Sequence, residues 1–175
     1  MSEIRKHPRL QSGVKQTDFT PNKGNALQAC IATVLAVHLE DVPNFIAQDG
    51  DIYDFLRSFL ATKGLGFMKI TLNDEGCLPF APGAATVGCL LAGQSPRGSH
   101  KHVVVAEIPP NSIKPVPVFD PHPSNDFLST YIWVGLFVTL QPADFNKKII
   151  TRHVDADLPR PPNGPDVEQE DREST

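Results

Sequence analysis

Hydrophobic spacing changes character once along this 175-residue chain, near Gly64–Gly66, and that change restricts the fold to a few layered arrangements of helices and strands. Before it, apolar residues recur at helical intervals. Leu27, Cys30, Ile31, Val34 and Leu35 stand at i, i+3, i+4, i+7 and i+8, which predicts a core-packed helix from Ala26 to Val37 with Asn25 as its N-cap. Ile52, Phe55, Leu56, Phe59 and Leu60 predict a second helix from Asp51 to Lys63, set apart by the break at Pro43 and ended by Gly64 and Gly66. After the change the apolar runs are short: Phe67 to Leu72, Thr86 to Leu91, His102 to Ile108, Val116 to Phe119 and Ile132 to Leu140. Turns rich in Pro, Gly and Ser divide them, as they divide strands. Two helices and then about five strands at hairpin-like spacing predict an α+β fold, its helices packed on a mostly antiparallel sheet.

The ends follow neither period. Residues 1–20 read as an arm lying across the domain, and from Pro159 onward proline and charge displace apolar residues, so 159–175 is expected to be a disordered acidic tail on a single domain spanning 1–158. Much of the net charge of −4, from 16 basic and 20 acidic residues, falls in that tail. The remaining globule is nearly neutral, which argues against nucleic acid or an anionic membrane as a partner. No apolar run approaches the roughly 20 residues of a membrane helix. The charged start Met1-Ser2-Glu3-Ile4-Arg5-Lys6 lacks the apolar segment of a secretory signal, so a soluble, cytoplasmic protein is expected. Cys30, Cys77 and Cys89 are odd in number and have no CxxC spacing, which argues against a disulfide framework or a zinc knuckle and for small buried hydrophobes.

Three places carry residue types suited to chemistry. The helix start at Gly24-Asn25-Ala26 offers unpaired N–H groups and the positive end of the helix dipole, which lower a thiol pKa and stabilise an oxyanion. The loop Ser95-Pro96-Arg97-Gly98-Ser99-His100-Lys101 feeds a β-run that begins at His102, where a base is held by the sheet yet open to a cleft. Asp120 ends the run Val118-Phe119 and is followed by Pro121-His122-Pro123. Asp120 can orient the His102 imidazole if the two strands pair. In the same loops, Arg97 is placed to clamp a substrate carboxylate. His100, His102, Asp120 and His122 form two i, i+2 pairs that, converging, would suit zinc or iron.

Helix-start position, strand-start histidine and strand-end aspartate, in that order, resemble the papain-like cysteine hydrolases. The resemblance spans roughly Gly24 to Leu128 and is nearest to the compact branch that contains the bacteriocin-leader (double-glycine) peptidases and related small cysteine hydrolases. It implies a Cys-His-Asp triad with His102 and Asp120 in their usual roles, no cofactor and no metal, and a peptide, protein or small amide as substrate. It also implies a cysteine where this chain has Ala26. Three readings of Ala26 stand side by side: an engineered replacement that traps a ligand, a natural non-catalytic relative that binds without turnover, or a nucleophile displaced to Cys30. Leu27 stands where the bacteriocin peptidases usually have glycine, and Gln16, the candidate oxyanion donor, lies ten positions before Ala26, farther than their glutamine. Outside the resemblance, a metal-dependent hydrolase built on the two histidine-aspartate pairs is the remaining class.

Overall fold

The protein is described from a computed structural model covering residues 13–20 and 23–140. The expected tail at 159–175, the domain boundary at 158 and the first part of the arm lie outside the described residues.

The first helix, α1, runs Ala26–Leu35 and the second, α2, Ile52–Thr62, with 3₁₀ turns at Leu39–Asp41 and Phe45–Ala47 between them. Helix α1 stops at Leu35, short of the predicted Val37. Ala36 adopts a left-handed conformation (φ 54°), and the N–H groups of Ala36 and Val37 turn back to the carbonyls of Thr33 and Ala32. A closure of this kind ends a helix whatever follows, so the break lies at Ala36 and not at Pro43. Helix α2 starts where Asp51 accepts hydrogen bonds from the N–H groups of Tyr53 (2.7 Å) and Asp54 (3.2 Å). It ends at Thr62, with Lys63 as C-cap followed by Gly64 at φ 72°, while Gly66 lies inside the next strand rather than ending the helix.

Five strands follow: β1 (Leu65–Thr71), β2 (Val87–Gln94), β3 (Lys101–Ile108), β4 (Val116–Phe119) and β5 (Thr130–Thr139). They form one sheet in the order β1-β5-β2-β3-β4, with every pairing antiparallel. The α+β expectation therefore holds: two helices pack against a five-stranded antiparallel sheet. The central strands β2 and β3 are continuous apolar runs because both faces are covered. On one face α1 and α2 bring Leu27, Cys30, Ile31, Leu56 and Leu60 against Phe67, Leu90, Ala92, Val103 and Val105. On the other face Leu72 and Leu78 join Cys89, Leu91, Val104, Ala106, Ile108 and Val134. Each fully buried Leu or Ile contributes roughly 1.5–3 kcal/mol of transfer free energy, so these two layers fix the sheet that carries the site. Pro117 sits in β4, at the edge of the sheet, where a missing N–H is tolerated. Among the described residues no helix is long and apolar enough to cross a membrane.

Candidate functional site

The β2–β3 hairpin sets one half of the site. Its register pairs Ala92 with Val103 and Gly93 with His102, so His102 stands at the mouth of the hairpin. The connecting loop is closed by hydrogen bonds from Ser95 N–H to the His100 carbonyl (3.0 Å) and from Gln94 Nε2 to the carbonyls of Gly98 (2.7 Å) and His100 (3.1 Å). Strand β4 pairs with β3 through Val105 and Phe119, which delivers Asp120 to the same end of the sheet.

There His102 and Asp120 meet. His102 Nε2 lies 2.7 Å from Asp120 Oδ1, with the histidine 7% and the aspartate 1% exposed. Asp120 Oδ1 also accepts from His122 N–H (2.9 Å), and Oδ2 accepts from Phe127 N–H (2.8 Å). Burial pushes the Asp120 carboxyl up, but the hydrogen bonds from His102, His122 and Phe127 outweigh it and hold the group below its ordinary value of 3.8. Asp120 is thus an ionised acceptor, and an acceptor takes its proton from a donor. Neutral His102 accordingly carries its hydrogen on Nε2 and leaves the lone pair on Nδ1, which has no partner among the described residues.

Helix α1 supplies the other half. Cys30 Sγ lies 3.5 Å from the Val103 carbonyl, so Ala26, one turn nearer the N-terminus, comes over the start of β3. Ala26 and His102 line one cleft of about 700 Å³. Asn25 occupies the N-cap position but its side chain does not cap the helix, contrary to the sequence expectation. Its Oδ1 accepts from the N–H groups of Thr17 (3.0 Å) and Asp18 (2.9 Å), and its Nδ2 donates to Thr17 Oγ1 and Gln28 Oε1. The amide is spent on the arm, and the first helical N–H groups, of Ala26, Leu27 and Gln28, have no partner among the described residues. Removing that amide leaves two arm N–H groups unanswered. Asn25→Ala is therefore expected to destabilise the protein by about 1–3 kcal/mol in urea unfolding, and Asn25→Asp, which keeps the acceptor, by less.

The described part of the arm, 13–20, ties the two halves together. Val14 N–H donates to Thr33 Oγ1 on α1 (2.8 Å), and Gln16 N–H donates to the Pro121 carbonyl (3.1 Å). Lys15 Nζ donates to the carbonyl of Asp120 (2.8 Å) and to Asn125 Oδ1 (2.9 Å). Sequence reasoning missed Lys15, because an arm without a hydrophobic period gives no sign of where its side chains go. It missed Trp133, Tyr53 and Ile46 as well, which form an apolar wall of the cleft and carry no chemical motif.

The remaining candidates separate. Gln16 lines the cleft and is buried; its Nε2 donates to the Asp18 carbonyl (3.2 Å), and its Oε1 is buried without a partner among the described residues. Arg97 lines the cleft too, but part of its guanidinium faces Asp120: Nη1 lies 3.5 Å from Asp120 Oδ2, 3.6 Å from Asp126 Oδ2 and 3.1 Å from Ser124 Oγ. Cys30 is fully buried, and desolvation followed by the Asp120 charge raises its thiol well above the ordinary value, so it is no nucleophile. His102 Nε2 is committed to Asp120 and His122 Nδ1 to Ser124, while His100 is exposed. Among the described residues no three His, Cys, Asp or Glu side chains converge as metal ligands, so the two i, i+2 pairs do not assemble the centre their spacing allowed.

Comparison with protein-family models, with curated proteins and with solved structures gives no match for this chain. The case for a function rests on the cleft itself.

Proposed function

We propose that the cleft is a thiol-hydrolase site of papain-like layout, acting on an amide or peptide bond, with Ala26 standing at the nucleophile position. The observation that carries this reading is the buried 2.7 Å pair of His102 and Asp120, opening on the same cleft as the uncapped start of α1. With a cysteine at position 26, His102 Nδ1 takes the thiol proton and sulfur bonds to the substrate carbonyl carbon. The unpaired N–H groups at the helix start receive the oxyanion. As the C–N bond breaks, Nδ1 returns the proton to the leaving amine. Water then adds to the thioester, the S–C bond breaks, and the acid and free thiol are released. Asp120 keeps His102 in the tautomer that this sequence of transfers needs. Alanine has no nucleophilic atom, so the chain as it stands binds such a substrate without covalent turnover. A non-catalytic binding module is the second reading, and Ala26 itself favours it.

Alkylation separates them. Ala26→Cys is expected to react with iodoacetamide at pH 7 about 100-fold faster than any thiol of the parent chain, and His102→Ala in that background to lower the rate about tenfold or more. The parent chain is a low background because Cys30, Cys77 and Cys89 are all buried, with Cys89 pushed up to about 12 by desolvation and by Glu107. An installed thiol that reacts no faster than these, or that ignores His102→Ala, sinks the hydrolase reading and leaves the binding module.

A further inference from the structure

The strand-end loop after Asp120 holds a second histidine that the acyl-transfer chemistry above does not use. His122 Nδ1 lies 3.1 Å from the Ser124 N–H and 2.7 Å from Ser124 Oγ. A backbone N–H only donates, so Nδ1 is an acceptor and the neutral ring carries its hydrogen on Nε2. Ser124 Oγ in turn accepts from Arg97 Nη1 (3.1 Å), which turns the hydroxyl hydrogen toward His122. Arg97, Ser124 and His122 thus form a directed chain of hydrogen bonds that ends on an Nε2–H with no partner among the described residues. The ring lines the cleft, edge-on to Phe19 (5.2 Å between centroids) and to His102 (6.4 Å). Desolvation, then the Arg97 charge, hold His122 below its ordinary value of 6.5, against the opposing pull of Asp120 and Asp126. It is a neutral donor at pH 7.

The charge of the cleft wall points the same way. Arg97 and Lys101 are part of it, and among the described residues no aspartate or glutamate is, in a chain of net charge −4. Asp120 and Asp126 face Arg97 from the loop side and stay out of the lining. Arg97 Nη2 is buried with no partner among the described residues. Donors without acceptors among the described residues, and an apolar wall of Ile46, Tyr53 and Trp133 in the same cleft, describe the complement of a ligand that combines an apolar part with an anionic group.

We infer that the cleft, which Lys101 also lines, selects an amide that bears a carboxylate, the C-terminal end of a peptide or an N-acyl amino acid, with the carboxylate received by His122 Nε2–H beside Arg97. This inference rests on the hydrolase reading for the amide but not for the carboxylate. Because Ala26 prevents turnover, the preference is measured as equilibrium binding to the chain as it stands, independently of any thiol.

The probes are N-acetyl-leucyl-alanine and its C-terminal carboxamide, titrated by calorimetry at pH 7 and low ionic strength. The carboxylate is expected to bind about tenfold or more tighter than the carboxamide, the range for a hydrogen bond to a charged acceptor. The ratio should shrink with added salt. His122→Phe, which keeps a ring against Phe19, is expected to reduce the ratio to about twofold, because it weakens carboxylate binding more than carboxamide binding. Nitrogen NMR of the imidazoles should show His122 as the Nε2–H tautomer at pH 7, retained in Ser124→Ala because the backbone N–H of residue 124 still donates to Nδ1. Equal binding of the two probes, no binding of either at millimolar concentration, or a His122 ring protonated or hydrogen-bearing at Nδ1 at pH 7 overturns the assignment. Tight carboxylate binding by the parent chain with slow alkylation of Ala26→Cys would remove the hydrolase and keep the carboxylate site.

Discussion

Asp120→Ala is expected to lower the unfolding free energy by about 3–5 kcal/mol, the range for removing one partner from a buried charged network. Four groups converge on this carboxylate: His102 Nε2, the N–H groups of His122 and Phe127, and Arg97 Nη1. His102 is 7% exposed, so water replaces its lost acceptor poorly, and Lys15 still ties the loop through the carbonyl of residue 120. Asp120→Asn separates charge from shape. Each carboxylate oxygen takes a backbone N–H, so whichever way the amide turns, its NH₂ meets one of them donor to donor. A loss of about 1–3 kcal/mol is expected for Asn, from one unsatisfied backbone donor. Urea titrations of the two variants and the parent, at pH 7, check both figures. A loss under about 1 kcal/mol for Asp120→Ala would mean that the network does not hold the loop.

The same carboxylate sets an acid limit. Its folded value lies below the ordinary 3.8, so its contribution is fully present above that pH and is lost as pH falls through the lower, folded value. His122 adds to the trend from a higher pH, since its folded value is also depressed and the unfolded ring takes up its proton first. Unfolding free energy is expected to fall from about pH 6.5 downward, and more steeply below about pH 4. The steep part should be smaller in Asp120→Asn, which lacks that carboxyl but keeps Asp18, also held below 3.8 by its hydrogen bonds from Thr20.

How much of this was legible in the sequence depends on the range of the interaction that decides each feature. Periodicity is local. It placed α2 to within a residue at each end, and it placed the five strands, because the apolar stripes of Ile52 to Leu60 and of Val103 to Ile108 have no rival period. Helix α1 ended early for an equally local reason that leaves no trace in hydrophobicity, the left-handed turn at Ala36, a residue type that rarely takes it. The pairing of His102 with Asp120 was legible as a condition on two strands being neighbours, and the sheet order meets that condition. What could not be read was the competition for each side chain. Asn25 has the right chemistry for an N-cap, and its amide is drawn instead to Thr17 and Asp18 by an arm whose course no periodicity describes. Arg97 lines the cleft as a substrate clamp would, and its sequence gives no sign that Nη1 is shared with Ser124 beside Asp120 and Asp126. The histidine-aspartate pairs had metal-like spacing, and one hydrogen bond each at His102 and His122 commits a ring nitrogen elsewhere.

Gly93→Ala is expected to cost about 3 kcal/mol or more, and it bears on the site because Gly93 is the register partner of His102. Strand β2 meets β5 through a shift between Ala92 and Gly93: Ala92 pairs with Trp133, but Gly93 pairs with Tyr131. At that step the two backbones approach so closely that a Cβ on residue 93 would overlap the Thr130 carbonyl oxygen and lie 2.8 Å from its carbon. The obstacle is main chain, so no rotamer change relieves it. Relief requires β5 to draw back from β2, which moves Trp133 from its place in the cleft wall and loosens the strand pair that fixes His102. The same substitution at Gly88, on the same strand, adds a Cβ with nothing within 4 Å and is expected to change stability by less than about 1 kcal/mol. Comparing the two in urea, with alkylation of Ala26→Cys as the second readout, isolates the close approach from the general effect of alanine in a strand. Equal stability in the two variants would show that β5 yields freely there. A stability loss at Gly93 with unchanged alkylation would show that His102 is held by β3 and β4 alone.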